Sequence, residues 1–426
     1  MSLDAKPAAP AGDPAPAEPA APTAKPAAPA SDPAPAEPAG DPATLRARLA
    51  LPFRAAIALG VLGLSLAHAF LNYKALIDVG GGSFQTADWL IDYSGGLVRR
   101  GLAGQLLLSL GLSASMTLQL LWALQSAAYA AIGGFCVWYL RRTQFAWSSI
   151  ALVCAPAALP FIGNDPWGAY RKELLLLVTL LLLAVALRQR RGRPSLAAGL
   201  TLGALVVYLV AAFSWEPAFV ALPAIRYLLI TGPAELGEPT RDERQAWWLA
   251  VGIATVGFAV NAAFPGSTAV AGAVCGNLAN RGFDMTFICT GAIEWLTHTA
   301  DENLVQVAAS FPLYLLYAPM AMLAAIPFVA SDWLRRHRLN ALLVVLAALP
   351  LFVIANDYGR WISLIYLQLA MCVMVSGRAL GGYRWSALTA IPYVTLWGFA
   401  HWTETWEPVG LVPWLIEEVG RIAAGG

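Results

Sequence analysis

The stretch from Asp88 to Gly104, DWLIDYSGGLVRRGLAG, combines two carboxylates, a glycine pair and an arginine pair. A carboxylate beside cations can act as a general base toward a hydroxyl group. Paired guanidinium groups bind phosphate oxygens through parallel hydrogen bonds. Asp92 and Asp88 are therefore candidate catalytic residues, and Arg99 and Arg100 are candidate ligands of a phosphate. The spacing of the two carboxylates predicts that both lie on one face of a helix.

This stretch lies in a strongly apolar chain. Of its 426 residues, 58% are hydrophobic and only 12% are charged, and the mean hydropathy is +0.61. Apolar runs of about 17–22 residues recur to the end of the chain, and each is long enough to cross a bilayer. The sequence therefore predicts an all-α polytopic membrane protein surrounded by membrane lipids. The net charge of +1 and the absence of a basic tail give no support to a nucleic acid partner.

About eleven membrane spans are predicted from the runs and their flanking charges. Nine of them cover about residues 53–72, 115–140, 146–163, 173–188, 246–263, 306–329, 339–356, 361–377 and 386–401. The other two form a hairpin over about 195–231. The arginines before the first span place the N-terminus in the cytoplasm, because positive charge concentrates on that side. The chain is then expected in the plasma (inner) membrane, with Arg99 and Arg100 on the extracytoplasmic side.

The spans divide the chain into a tail and a membrane domain. Residues 1–44 are Ala/Pro-rich and are predicted to be a disordered cytoplasmic tail, and residues 45–426 form the transmembrane domain. Residues 84–112 are predicted to form two juxtamembrane helices, separated near the glycine pair, and residues 264–305 form a large outer loop. Cys275 and Cys289 share that loop, so they are candidates for a disulfide if the compartment is oxidising.

The other predicted outer loops add further candidates, because each contains an acidic residue and most contain a nearby aromatic residue. The additional candidates for phosphate binding are Arg171, Lys172 and Arg360. The candidates for substrate binding are Tyr93, Asp165, Trp167, Glu216, Asp357, Tyr358, Trp361, His401 and Glu404. Aromatic belts and simple ion pairs explain many such residues in membrane proteins equally well. No metal-ligand motif is present; a divalent cation stays open, but no cofactor is assigned.

The layout resembles the GT-C class of membrane glycosyltransferases. The matching features are the first span, the helix pair from Phe84 to Leu112, and an acidic residue at Asp88 or Asp92; the adjacent acidic pair of some members is absent. The resemblance implies a polyprenyl-phosphate-linked sugar donor and a glycan or lipid acceptor. It implies that Arg99, Arg100 and Arg360 bind the donor phosphate. Asp92 would then deprotonate the acceptor hydroxyl for a single inverting displacement.

Two other functions remain open at this point. The first is an outward-facing polysaccharide polymerase of the O-antigen type, which would use a lipid-diphosphate-linked glycan and make products of many lengths. The second is a transporter of lipid-linked sugars. A transporter is expected to have broken helices and charged groups at mid-membrane, whereas the charges in this sequence concentrate at one predicted face. A structural or assembly role is the remaining alternative.

Overall fold

Helices dominate this structure, a computed structural model that describes residues 42–233, 236–329, 331–402 and 410–423. The chain divides into two units, Met1–Ala47 and Arg48–Gly426, and the site described below lies wholly within the second. Residues 1–41, which hold most of the Ala/Pro-rich segment, lie outside the described residues, as does Glu404.

The α-helices are numbered along the chain. The first nine are α1 (Pro42–Asp78), α2 (Gly101–Ser109), α3 (Ala114–Arg142), α4 (Trp147–Val153), α5 (Phe161–Asn164), α6 (Leu174–Gln189), α7 (Pro194–Ser214), α8 (Leu222–Arg226) and α9 (Arg241–Ala263). The others are α10 (Thr268–Asn280), α11 (Met285–Ile288), α12 (Ala300–Ala309), α13 (Tyr314–Val329), α14 (Asp332–Ala348), α15 (Leu351–Ile354), α16 (Tyr358–Met374), α17 (Ala387–Thr395) and α18 (Leu411–Ala423). Short 3-10 segments are Ala87–Leu90, Glu216–Ala221, Glu294–Thr297 and Phe311–Leu313, and Tyr227–Thr231 is a π turn.

Within the described residues, six helical stretches are long and apolar enough to cross a membrane. They are Ala50–Asp78, Ala114–Arg142, Pro194–Ser214, Arg241–Ala263, Phe311–Val329 and Asp332–Ile354. The prediction of an all-α polytopic membrane protein is confirmed. The structure differs from the eleven predicted spans because several apolar runs form shorter helices or are interrupted.

Proline explains the clearest interruption. The run predicted as a span over residues 146–163 contains Pro156 and Pro160, and it forms α4 and α5 with turns between them. Proline lacks a backbone N–H and its ring clashes with the preceding helical turn. The second half of the predicted hairpin over 195–231 is broken in the same way after Pro217, where the backbone leaves the helical region.

Helix α16 lies at the centre of the bundle. Fifteen of its 17 residues are buried, and it packs against α6, α13 and α14. A helix that is apolar around its whole circumference and buried belongs in the interior. By contrast, only 22% of the apolar stretch in Ala50–Asp78 is buried within the protein, which leaves most of that surface for lipid. The buried helix therefore fixes the residues at its own first turn, Asp357 and Arg360, inside the molecule.

The bundle has two chemically different ends. Helix α6 begins after Glu173 and ends at Gln189, α7 returns to Ser214, and Asn261 near the end of α9 lies against Arg100. We call the end that carries Arg100 and Glu173 the cluster end. Near the other end, Arg188 donates to the carbonyl oxygens of Val375 and Ser376 at 3.2 and 3.3 Å.

We call that opposite end the arginine end, after Arg142, Arg188, Arg190 and Arg335. Arg190 forms an ion pair with Glu243 near the start of α9, with its Nη1 2.8 Å from Oε2. The ion pair between Arg335 and Asp332 also lies at this end. The backbone N–H of Asp332 donates to the carbonyl oxygen of Gly381, and Gly381 follows the same end of α16 that Arg188 contacts.

The segment predicted to form two juxtamembrane helices is less helical than expected. It contains the 3-10 turn Ala87–Leu90 and the helix α2, with an irregular stretch between them. Asp88 lies within the 3-10 turn, whereas Asp92 follows it in extended or bent backbone. The prediction that both carboxylates share one helix face is therefore wrong. Asp92 is four positions after Asp88, but the 3-10 turn that contains Asp88 ends at Leu90.

Candidate functional site

Side chains of opposite charge from separate segments meet at the cluster end. We call this set the charge cluster; its members are Asp88, Arg99, Arg100, Arg171, Lys172, Glu173, Glu216, Asp357 and Arg360. It therefore holds five basic and four acidic side chains, which the ion pairs and mutual charge effects connect. These residues come from four different predicted loops, so the fold brings together residues far apart in the chain.

One half of the charge cluster is built around Glu216. Nε of Arg100 donates to Oε1 and Oε2 of Glu216 at 2.8 and 2.9 Å. Nε of Arg99 lies 3.5 Å from Oε1 of the same carboxylate, and its guanidinium group donates to the carbonyl oxygen of Trp295 at 3.0 Å. Burial would raise the pKa of Glu216, but Arg100 and Arg99 outweigh it and hold the pKa below its usual range.

Lys172 connects this half to Asp88. Its side chain is fully buried, and its Nζ lies 3.5 Å from Oδ1 of Asp88. Nζ also donates to the carbonyl oxygen of Arg100 at 2.7 Å. Burial lowers the pKa of Lys172 to about 8, although Asp88 opposes that shift. The pKa of a buried lysine shifts readily with its surroundings, so a nearby anion would change the protonation of Lys172.

The other half of the charge cluster is built around Arg360. Its Nε donates to Oε1 of Glu173 at 2.8 Å, and its Nη1 donates to Oδ2 of Asp357 at 2.6 Å. The guanidinium carbon lies 5.0 Å from the centroid of the Trp361 ring. A lysine could not make all these contacts, because they use the planar fork of the guanidinium group.

The two halves act on each other electrostatically. Burial and the positive charge of Arg360 together lower the pKa of Arg171 to about 10, against the opposing effect of Asp357 and Glu173. Arg100 experiences the charges of both Glu216 and Asp88, which raise its pKa against the effect of burial. The nine side chains therefore behave as one electrostatic unit rather than as isolated pairs.

Backbone geometry also converges on the charge cluster. Arg100 and Tyr170 have φ values of 69° and 60°, the left-handed region that costs a non-glycine residue roughly 1–2 kcal/mol. The carbonyl oxygen of Arg100 accepts from Lys172, and that of Tyr170 accepts from Nε1 of Trp89 at 3.0 Å. Strained residues of this kind persist where the surroundings hold them, often at functional sites.

Three helices also begin here. Arg100, Glu173 and Asp357 are the N-cap residues of α2, α6 and α16. A helix N-terminus carries partial positive charge, so the helix ends add to the five basic side chains. The two carboxylates at N-cap positions offset part of that charge.

Several buried polar atoms in and beside the charge cluster have no hydrogen-bond partner. The donors are Nε of Arg99, Nε of Arg171 and Nε1 of Trp361, and the acceptors are Oδ1 of Asp88 and Oε2 of Glu173. Buried polar groups are nearly always satisfied, so such atoms call for an explanation such as water or a bound molecule. Three unpaired N–H donors beside an excess of basic groups suit the oxygens of an anion.

Asp92 makes its contacts away from the ion pairs. Its Oδ1 accepts from the backbone N–H and the hydroxyl of Ser94 at 3.0 and 2.5 Å, and its Oδ2 accepts from the side-chain amide of Asn277. Asn277 lies on α10, which also carries Cys275, and Cys275 forms a disulfide with Cys289. Asn277 follows Asp92 by 185 positions, and no feature of the sequence indicated that the two side chains would meet.

Asp165 and His401, both candidates for substrate binding, contact each other. Nδ1 of His401 lies 2.6 Å from Oδ2 of Asp165, and the backbone N–H of His401 donates to the same oxygen. Burial would raise the pKa of Asp165, but the bonds from His401 hold it below its usual range. The two residues are separated by 236 positions in the chain, so the sequence alone could not pair them.

The remaining predicted residues occupy different environments. Trp167 is 61% exposed, whereas Tyr358 and Trp361 are buried. Tyr93 is partly buried, and its ring occupies the space that a side chain on Gly101 would need. Within the described residues, no group of three or more His, Cys, Asp or Glu side chains could hold a metal ion.

The helices and their apolar surfaces define the class of this chain: a polytopic α-helical membrane protein. Residues 57–307, more than half of the chain, match the model of the family described as uncharacterised membrane protein Rv1490. The chain belongs to this family. No curated protein matches the chain, and no solved structure matches it.

Proposed function

We propose that the protein is a membrane glycosyltransferase that moves a sugar from a polyprenyl-phosphate-linked donor to a glycan or lipid acceptor. The charge cluster would hold the donor phosphate at the extracytoplasmic face of the plasma membrane, as in the GT-C class. The observation that carries the proposal is the gathering of five basic side chains with three unpaired N–H donors. A phosphate that leaves with two negative charges needs such stabilisation.

The carboxylates in the charge cluster have a role in this scheme. A phosphate oxygen entering near Arg100 competes with Glu216 for the guanidinium group, which donates through Nε to both oxygens of that carboxylate. Without donor, the carboxylates keep the buried cations paired, since an unpaired buried charge is costly. When the donor binds, its phosphate would replace a carboxylate as the partner of a buried cation.

The acceptor hydroxyl also needs a base, and the sequence predicts Asp92 or Asp88. Both oxygens of Asp92 accept hydrogen bonds from Ser94 and Asn277. Asp88 lies inside the charge cluster, and its Oδ1 has no hydrogen-bond partner. Of the two predicted carboxylates, Asp88 is therefore the one that the phosphate site would adjoin.

Native mass spectrometry of the detergent-purified protein tests the donor class. The wild type is compared with Arg99→Gln/Arg100→Gln/Glu216→Gln, in which a carboxylate is neutralised together with both arginines so that no buried charge is left alone. Arg335→Gln/Arg336→Gln at the arginine end is the matched control. We expect polyprenyl phosphate or its glycosylated form on the wild type and on the control, and at least a tenfold loss on the triple variant.

The same samples are assayed in membrane vesicles that lack the native protein, supplied with 14C-labelled polyprenyl-phosphate hexoses and pentoses. A new glycosidic product formed by the wild type would support a transferase. Absence of both bound polyprenyl lipid and product in the wild type would contradict the proposal. Lipid retained by the triple variant would contradict phosphate binding by Arg99 and Arg100.

A transporter of lipid-linked sugars is the second candidate. Broken helices are typical of transporters, and the chain is broken between α4 and α5 and again through Glu216–Ala221 and Tyr227–Thr231. Movement of the labelled donor across the vesicle membrane without a new glycosidic bond would favour this function. A ladder of product lengths would instead indicate a polymerase.

A further inference from the structure

The pair formed by Asp165 and His401 is held rigidly. The carboxylate of Asp165 accepts from the backbone N–H of Gly168 at 3.1 Å as well as from His401. The side chain of Asp165 is 6% exposed and that of His401 is 20% exposed. Nε2 of His401 has no hydrogen-bond partner among the described residues. The carboxylate therefore fixes one side of the imidazole ring and leaves the other nitrogen available.

Two glycines make room for this pair. A Cβ on Gly168 would lie 2.7 Å from Cβ of His401 and 2.8 Å from Oδ2 of Asp165. A Cβ on Gly359 would lie 2.0 Å from the carbonyl oxygen of Ala400. All three distances are too short for ordinary contact, so a side chain at either position would displace the histidine. The close approach depends on having glycine at both positions.

The pair lies beside the charge cluster. The backbone N–H of Gly359, in the first turn of α16, donates to the carbonyl oxygen of His401 at 3.0 Å. That same turn carries Arg360, and Asp357 precedes it. Burial would raise the pKa of Asp357, but Arg360 holds the pKa below its usual range. The backbone of His401 is thus hydrogen-bonded to the helical turn that carries Arg360, which puts the pair next to the charge cluster.

An exposed aromatic residue lies in the same turn as Asp165. Trp167 is 61% exposed, and its carbonyl oxygen accepts from Nη2 of Arg171 at 3.2 Å. That bond ties the turn to the charge cluster. The indole ring is apolar and planar with one polar edge, so its exposed face can stack on the apolar face of a sugar ring.

We infer that His401 is the general base of the sugar transfer, that Asp165 is its positioning residue, and that the acceptor is a carbohydrate hydroxyl bound against Trp167. This inference rests on the proposed function. It assigns the base to neither of the carboxylates predicted from the sequence. Asp88 is tied to Lys172 at 3.5 Å, and both oxygens of Asp92 already accept hydrogen bonds.

Nε2 of His401 takes the proton of the acceptor hydroxyl. At the same time, the hydroxyl oxygen forms a bond to the anomeric carbon of the donor sugar. The bond between that carbon and the phosphate oxygen breaks, and the electron pair leaves with the polyprenyl phosphate. The cations of the charge cluster stabilise the new negative charge. The carboxylate of Asp165 stabilises the imidazolium through Nδ1.

The test uses the full-length protein in the vesicle assay with labelled polyprenyl-phosphate sugars, after the wild type has been shown to transfer. The variants are His401→Gln, His401→Ala, Asp165→Asn and Asp92→Asn. His298→Gln is the control, because His298 faces Glu302 in an exposed pair with Nδ1 3.9 Å from Oε2. We expect His401→Gln and Asp165→Asn to lower kcat by roughly 10²–10³-fold, with lipid binding by native mass spectrometry unchanged.

Chemical rescue separates catalysis from folding. Added imidazole should restore part of the turnover of His401→Ala, which a merely structural role of the ring would not allow, and should not affect His298→Gln. Trp167→Ala should raise the KM for the acceptor and leave kcat within about threefold. Undiminished turnover by His401→Gln, or loss in His401→Ala without rescue, would overturn the assignment and leave the proposed transferase intact. No transfer by the wild type would instead overturn the proposed function, and the inference with it.

Discussion

The two ends of the bundle arrange their charged residues differently. The arginine end has separate ion pairs, one of which, between Arg190 and Glu243, is also buried, with side chains 11% and 13% exposed, whereas the cluster end joins nine charged side chains. At the arginine end, the side chain of Arg335 is 73% exposed and its partner Asp332 is 39% exposed. At the cluster end, Arg360 and Glu173 are 9% and 13% exposed, and Lys172 is fully buried. Exposed charges at a membrane surface need little support from the protein, whereas buried charges must be paired to be tolerated.

This difference concerns the stability that buried charges contribute. Replacing a buried ion pair by apolar side chains is often neutral or stabilising, so a protein that keeps nine buried or half-buried charges together gains no obvious stability from them. The tendency of positive charge to collect on one side of a membrane would account for an end rich in arginine. It would not account for four carboxylates gathered with five cations, and we therefore propose the function at the cluster end.

The largest difference between the ends should follow removal of one carboxylate. Glu216→Gln leaves both Arg99 and Arg100 without their carboxylate partner, at side chains that are 18% and 28% exposed. We expect a loss of about 2–4 kcal/mol, slightly below the value for fully buried pairs. Asp332→Asn, which breaks the exposed pair, should cost less than about 1 kcal/mol.

Thermal unfolding in detergent, followed by tryptophan fluorescence, measures both variants. A fall in the apparent Tm of about 5 °C or more is expected for Glu216→Gln, with little change for Asp332→Asn. Equal shifts for the two variants would show that burial makes no difference between the ends.

A smaller difference should follow the exchange of arginine for lysine. Arg360 contacts Glu173 and Asp357 through different nitrogens, and a lysine ammonium group cannot reproduce that fork. We expect Arg360→Lys to lose about 1–3 kcal/mol, the value of a hydrogen bond to a charged group. Arg335→Lys, whose side chain is exposed, should be near neutral. The same unfolding assay applies, and a neutral Arg360→Lys would refute the idea that guanidinium geometry matters here.

The sequence predicted which charged residues lie at the cluster end better than it predicted which of them form pairs. Residue type and predicted topology placed Asp88, Arg100, Arg171, Lys172 and Arg360 on one side of the membrane, and these residues do meet. This worked because an apolar chain with few charges leaves only a few places for them.

The sequence did not reveal which residues pair. The partners Arg360 and Glu173 are separated by 187 positions, and Arg100 and Glu216 by 116, so only the packing of α6, α7 and α16 defines them. The difference between Asp88 and Asp92 was also hidden, because their spacing fits a helix, whereas the structure has a 3-10 turn that ends at Leu90. The helix interruption at Pro156 was visible in the sequence but was outweighed by the apolar run around it.

The smallest expected effect concerns pH and compares Lys172 with Lys74. Lys74 pairs with Asp78 at a side chain that is 33% exposed, whereas burial lowers the pKa of Lys172 to about 8 from the ordinary value of 10.5. Between these two values the unfolded chain holds a proton on Lys172 that the folded protein has released. Stability due to this group therefore increases as the pH rises from about 8 to 10.5, and below pH 8 its buried charge is a constant cost.

Subtracting a variant isolates that contribution from the other groups that titrate in the same range. The apparent Tm of the wild type is measured from pH 7.5 to 10.5 beside Lys172→Met and Lys172→Gln, with Lys74→Met as the control. We expect the wild-type curve to rise by about 1–3 °C relative to either Lys172 variant across the window. Parallel curves would show that Lys172 keeps its ordinary pKa, and the cluster end would then differ from the exposed pair in packing but not in protonation.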